Sequence, residues 1–285
     1  GIGAVTERVI AESLAGVRPV YLRRLEATAG RPVRELGAEL VAALRGDCHT
    51  HSDWSDGGEP ITAMAEAAIE LGHEYIVLTD HSRGLTVANG LSEERLRRQL
   101  GVVADLNREL APFRILTGIE VDILDDGSLD QDDELLRRLD VVVASVHGKL
   151  RMERRAMTER MVAAIANPHS DILGHCTGRL RTRRGRPESE FDPDLVFAAC
   201  VRFDKAVEIN SRPERLDPPK RLLRLAVEAG CKVSVDSDAH TPGQLGWQPF
   251  GCERAAACGV PAGTVVNTWT ADELLAWTAS HDAGT

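Results

Sequence analysis

The sequence predicts an α/β protein: a distorted seven-stranded (βα) TIM-like barrel with a short helical N-terminal arm. Three observations point there. From Gly46 onward, short β-branched runs alternate with amphipathic helical stretches, the pattern of repeated βα units closing a parallel sheet. The runs are apolar almost throughout, as strands covered on both faces should be. Each run also ends in metal-ligand residue types, at the end where parallel α/β barrels build their active sites.

With 285 residues, 43% of them hydrophobic, the chain can bury one large core. A net charge of −10 excludes a surface coated in base for tight, non-specific nucleic-acid binding, though not a local basic strip. No stretch approaches the roughly 20 apolar residues needed to cross a bilayer, and the start lacks a basic-then-apolar secretion pattern. A cytoplasmic protein without a membrane partner is therefore expected. Cys48, Cys176, Cys200, Cys231, Cys252 and Cys258 lack C-x-x-C spacing and read as reduced, mostly buried small hydrophobes.

Residues 1–45 read as the helical arm and residues 46–285 as the catalytic domain. In the arm, Val5, Val9, Ile10 and Leu14 form an apolar periodicity that Gly16 and Pro19 stop; Tyr21, Leu22 and Leu25, then Leu36, Leu40, Val41 and Leu44, continue it. Gly1-Ile2-Gly3 before a helix suits the turn of a helix-hairpin-helix, whose N–H groups hold a DNA phosphate, and equally an ordinary turn. Such a module would be partial here, its first helix lying before residue 1. The strands are expected over residues 46–51, 75–80, 114–121, 140–147, 171–175, 205–210 and 232–238. Helices between them include Ile61–Leu71, Ser92–Leu110, Met152–Ala166 and Pro218–Ala229.

The strand ends carry the chemistry. The first gives His49 and His51, with Asp56 in the following loop. Period-two alternation puts both imidazoles on one face and turns Cys48 and Thr50 away. The later strands deliver Asp80-His81, Glu120, His147, His175, Glu208 with Asn210, and Asp238 with His240. Six of the nine histidines fall at these ends. His73 and His169 precede strands at the opposite end and His281 lies in the tail, so these three read as ordinary satisfied histidines. Imidazole with carboxylate suits Zn²⁺, Mn²⁺ or Fe²⁺, and the ligands are too many for one ion. A bridging carboxylate would let two cations share a hydroxide nucleophile.

Gly46–Gly57, Leu78–Ser82, Thr117–Leu124, Ser145–His147, Asp171–His175, Glu208–Asn210 and Ser237–His240 resemble the successive motifs of the polymerase and histidinol phosphatase (PHP) superfamily. The likeness covers residues 46–278. Within the superfamily, Asn167-Pro168, Asp171–Thr177, Gly178-Arg179-Leu180 and Pro213–Asp217 are most similar to the C-terminal PHP domain of bacterial family X DNA polymerases. Those proteins also carry a helix-hairpin-helix near the N-terminus. The chain has no room for palm and fingers domains, so no polymerase activity is expected of it.

The resemblance implies a site of three divalent metal ions. His49, His51, Glu120 and Asp238 would hold the first; Glu120, His147 and His175 the second; Asp56, His81 and His240 the third. It implies a phosphoesterase whose metal-bridged hydroxide attacks phosphorus in line. Arg179 and Asn210 are expected to assist catalysis, and Arg179, Lys149 and Arg215 to bind substrate, a guanidinium offering phosphate two parallel donors. Asp122 and Asn210 share parity with Glu120 and Glu208 and could orient ligands. The run Arg179–Arg186 could guide a DNA backbone or form a solvated loop paired with Glu188 and Glu190. Trp54 and Trp247 could stack on a base or act as packing wedges. The leading expectation is a phosphoesterase on DNA ends, with DNA as partner. The alternative is a small-molecule phosphatase of the histidinol-phosphatase type. An amidohydrolase, which commonly needs a lysine where His147 ends strand four, fits poorly.

Overall fold

The computed structural model describes residues 11, 13–16, 35–182 and 185–281. The chain forms two compact units, residues 1–35 and 36–285. The expected hairpin at residues 1–3 lies outside the described residues. Helix α1 (Glu35–Ala43) lies, beyond Glu35, in the second unit. Leu40 shares an apolar cluster with Ile209, Val233, Val235 and Cys252. A Cβ on Gly37 would meet the Glu253 backbone nitrogen at 2.8 Å, so the helix packs tightly there.

All seven expected strands are present and parallel, in the order of the sequence: β1 (Gly46–Thr50), β2 (Tyr75–Leu78), β3 (Arg114–Asp122), β4 (Val141–Ser145), β5 (Ile172–Leu173), β6 (Ala206–Asn210) and β7 (Lys232–Asp236). Together they form a nearly closed barrel. Strand β3 divides its length between two neighbours: Arg114–Thr117 pair with β2, and Gly118–Asp122 pair with β4.

The seam between β7 and β1 is closed largely by side chains. The Cys48 N–H donates to Asp236 Oδ1 at 2.9 Å and the Ser237 N–H to Asp47 Oδ1 at 3.2 Å. Asn267 donates to Asp236 and accepts from the Val235 N–H, and Gln248 donates to the Gly46 and Val235 carbonyls. Backbone groups that an eighth strand would satisfy thus find partners in carboxylates and amides. Burial and the Glu208 charge push the Asp236 carboxyl up to about 6, and burial beside Asp236 raises Asp47.

Helices α2 (Ile61–Glu70), α3 (Glu93–Glu109), α5 (Arg154–Ala166) and α7 (Lys220–Ala229) lie where the periodicity places them, α3 capped by the Ser92 hydroxyl accepting from the Arg95 N–H. Four more elements complete the shell: α4 (Asp133–Leu136), α6 (Pro193–Arg202), α8 (Gln248–Ala257) and α9 (Ala271–Ser280). A Thr270–Glu273 capping box starts α9, which packs Leu274 and Trp277 against Val141 and Ile172. All six cysteines are free and buried. Among the described residues, no helix is long and apolar enough to cross a membrane.

Candidate metal centre

The pairing register of β1 shifts between Asp47 and Thr50, yet both histidines still face the barrel mouth, their rings 5.1 Å apart. Cys48 turns away into a core cluster with Tyr75 and Val77. Glu120, on β3, is the centre of the arrangement. Its Oε2 lies 3.3 Å from His49 Nε2, 3.6 Å from His51 Nε2 and 3.0 Å from His81 Nδ1. Its Oε1 lies 3.1 Å from His147 Nε2 and 2.9 Å from His175 Nε2. One carboxylate therefore touches five imidazoles delivered by four chain segments.

A second focus forms at Asp56, whose Oδ1 is 3.5 Å from His81 Nε2 and 3.4 Å from His240 Nε2. Asp238 Oδ1 joins the two foci, 3.4 Å from His51 Nε2 and 3.6 Å from His240 Nδ1. Asp238 adopts φ +54°, a left-handed turn that an aspartate tolerates, just past the end of β7. The fold thus brings all nine expected ligand residues together. Three sets have ligand atoms within 4.8 Å of one another: His51, Asp56, His81 and His240; His49, His51 and Glu120; His81, Glu120 and His147. His51 and His81 each belong to two sets, so neighbouring cations could share this wall.

The donor set fits divalent cations. His49 Nε2, both nitrogens of His51 and of His147, His81 Nδ1 and His175 Nδ1 are buried without a hydrogen-bond partner. Buried polar atoms are seldom left so, and a neutral imidazole offers a cation the lone pair of one of its two ring nitrogens. Charge is correspondingly uneven. Burial opposes ionisation of Glu120, but His147, His49 and His81 hold it well below the usual carboxylate range. Against its own burial, His147 is held up to about 9 by Glu120 and Asp122. Burial and the Arg215 charge push His175 down to about 4, and burial with the His240 and His81 charges lowers His51. Asp56 falls to about 2 despite burial, through its bond from His240.

A second layer holds these groups in place. Glu208 lies 2.7 Å from His49 Nδ1 and accepts from the His175 N–H. Asp122 accepts from the His147 N–H at 3.1 Å and lies 3.4 Å from its Nδ1. The buried Asp80 accepts from the Ser52 N–H and hydroxyl, the Ser55 hydroxyl and the Gln99 amide, clamping the loop that carries Asp56. That loop is tight enough that a Cβ on Gly57 would meet the Ser52 backbone at 2.6 Å.

The expected substrate residues part company. Asn210 is buried and donates to Asp238 Oδ2 at 3.1 Å and Glu208 Oε2 at 3.4 Å. Arg179 donates to the Arg215 and Leu216 carbonyls and to Glu188, leaving its guanidinium committed to the loop after β6. Lys149 is exposed and paired with Asp125. Arg215 does reach it: Nε lies 3.2 Å from Asp238 Oδ2, and Nε and Nη1 are buried without a hydrogen-bond partner. Arg212, absent from the expected set, brings Nη1 to 3.9 Å from the same oxygen. Its position two residues beyond Asn210 was the available signal. Of the three set-aside histidines, His281 is fully satisfied by Asp171 Oδ1 at 2.7 Å and the Asp204 carbonyl at 3.0 Å.

Comparison with known proteins agrees with this architecture. The PHP domain matches residues 47–211. The DNA polymerase/3′-5′ exonuclease PolX of Bacillus subtilis is 38% identical over 261 residues, covering 88% of this chain. The chain spans only 45% of that protein's length. A probable phosphatase of Thermoanaerobacter sp. strain X514 is 30% identical over 235 residues, 78% of this chain and 89% of the relative. In three dimensions, the candidate histidinol phosphatase hisK of Listeria monocytogenes superimposes with a TM-score of 0.53 at 17% identity, covering 70% of this chain and 97% of that one, and so shares the fold.

Proposed function

Because this chain belongs to the PHP family of metal-dependent phosphoesterases, we propose that it hydrolyses phosphodiesters at DNA ends, by 3′-to-5′ exonuclease or related end-processing chemistry. The observation that carries the reading is the pair of arginines, Arg212 and Arg215, reaching Asp238 at the rim of the cluster. Arg181, whose N–H donates to the Glu214 carbonyl, and Arg186, whose Nε donates to the Gly178 carbonyl, add two further arginines on the loop after β5. An acidic chain thus concentrates positive charge beside its candidate metal centre, where a polyanion would lie. The likeness to PolX supports the same substrate.

In this reading His49, His51, Glu120 and Asp238 hold one cation, Glu120, His147 and His175 a second, and Asp56, His81 and His240 a third, with Zn²⁺, Mn²⁺ or Fe²⁺ suited to such donors. Bound cations supply Lewis acidity, activating water and neutralising phosphoryl oxygens. The chain's own residues bind and orient. Arg215 offers its free N–H groups to a phosphate, Arg179 fixes the loop that carries Arg215, and Asn210 and Glu208 hold Asp238 and His49 in register. Six free cysteines suit a reducing, cytoplasmic setting.

A small-molecule phosphatase is the second reading, favoured by the likeness to the Thermoanaerobacter phosphatase along most of that protein. Side-by-side assays on single-stranded DNA and on histidinol phosphate separate the two. Turnover of the oligonucleotide, abolished by chelator and restored by Mn²⁺ or Zn²⁺, is expected; turnover of histidinol phosphate alone would reverse the assignment.

A further inference from the structure

Among the described residues, Trp54, Trp269 and Trp277 pack against apolar core clusters, whereas Trp247 joins none of them. It ends the 3-10 turn Pro242–Trp247, which begins two residues after His240, and it is only half-buried. What it does touch is charged. The Arg212 guanidinium sits over the indole, 6.0 Å from the ring centroid. The same guanidinium lies 3.9 Å from Asp238 Oδ2 and 3.7 Å from Glu214 Oε2. Arg212 therefore spans from the candidate metal centre to an aromatic surface that the core does not use.

Resting on the reading of a DNA end as substrate, we propose that Trp247, with Arg212 stacked on it, is the platform for the nucleobase of the terminal nucleotide. The indole offers a π-face that accepts any base, and the guanidinium adds a planar cation and N–H donors toward the adjoining phosphate. Strand β6 positions the arginine and the segment after β7 positions the ring, so the platform is assembled beside two ligand-bearing strand ends. A base seated there keeps its phosphodiester over the cluster, which a base-free ester cannot do.

The test is coupling between ring and base. Steady-state KM is measured for wild type, Trp247→Ala, Trp247→Leu and Trp247→Phe on two single-stranded oligonucleotides, one ending in an ordinary 3′ nucleotide and one in an abasic tetrahydrofuran residue. Wild type should favour the base-bearing end by about tenfold in KM, the scale of one base stack. Trp247→Phe should retain most of that preference, while Trp247→Ala and the volume-filling Trp247→Leu should erase it. A purely structural role would slow both substrates alike and leave the ratio intact, which would overturn the platform, as would a wild type indifferent to the base. Failure of wild type to cleave either oligonucleotide, with histidinol phosphate hydrolysed, would overturn the DNA reading and the platform with it.

Discussion

Two buried histidine–carboxylate contacts of equal length, 2.7 Å, stand at opposite ends of the barrel: His49–Glu208 at the mouth and His281–Asp171 at the base. At the base the ring is complete. Its other nitrogen meets the Asp204 carbonyl and its edge packs on Trp277. At the mouth, His49 Nε2 is buried with no hydrogen-bond partner and faces Glu120 at 3.3 Å. A satisfied pair is a fastener between strands and helix. An unsatisfied one, repeated in His51, His81, His147 and His175 around a single carboxylate, is a site prepared for cations.

The largest break in that contrast should come from Glu120→Gln, which removes the charge shared by five imidazoles. Hydrolysis should fall at least about a thousandfold, several kcal/mol of transition-state stabilisation being lost, and bound metal measured by plasma mass spectrometry should fall with it. Chelation comes next. Stripping metal from wild type should lower thermal stability by about 2.7 kcal/mol if the ion had been present at about a hundred times its dissociation constant. Calorimetry of Glu120→Gln should show little further shift, and a full-sized shift there would remove Glu120 from the ligand set.

Glu208→Gln tests the mouth pair alone: a loss of about 10- to 100-fold in metal affinity or activity is expected, read by metal titration, with the fold retained. Asp171→Asn, the matching change at the base, should cost about 1–3 kcal/mol of stability near pH 4 while leaving metal content untouched. Burial raises the Asp171 carboxyl, against the bond from His281, the Val142 N–H and the Lys205 charge. A carboxyl raised above its unfolded value of about 3.9 favours the fold in its protonated form. That contribution is present below about pH 4 and is lost as pH rises through the raised value. The cost of Asp171→Asn should therefore shrink from pH 4 toward pH 8 in denaturant titrations; a cost that grows would show that the His281 contact dominates.

Strand positions and the candidate ligand types at the strand ends were legible in the amino-acid order because both are local. Period-two alternation, β-branched runs and the residue that ends each run need no partner to be read, and residues 46–50, 114–122 and 206–210 lie almost where the pattern puts them. The capping box at Thr270–Glu273 was equally local, and α9 could have been drawn from it. Tertiary structure alone decided which donors are free. Arg179 and Arg215 look alike in the chain, but Arg179 is consumed by carbonyls 36 and 37 residues away, while Arg215 keeps buried N–H groups facing Asp238. That Arg212, from another strand end, lies over Trp247 was likewise decided only by the fold. The sequence by itself determined what each strand end could ligate. Which polar atoms remained for a substrate was set by long-range contacts, since a hydrogen-bond donor's availability is a property of its neighbours and not of its residue type.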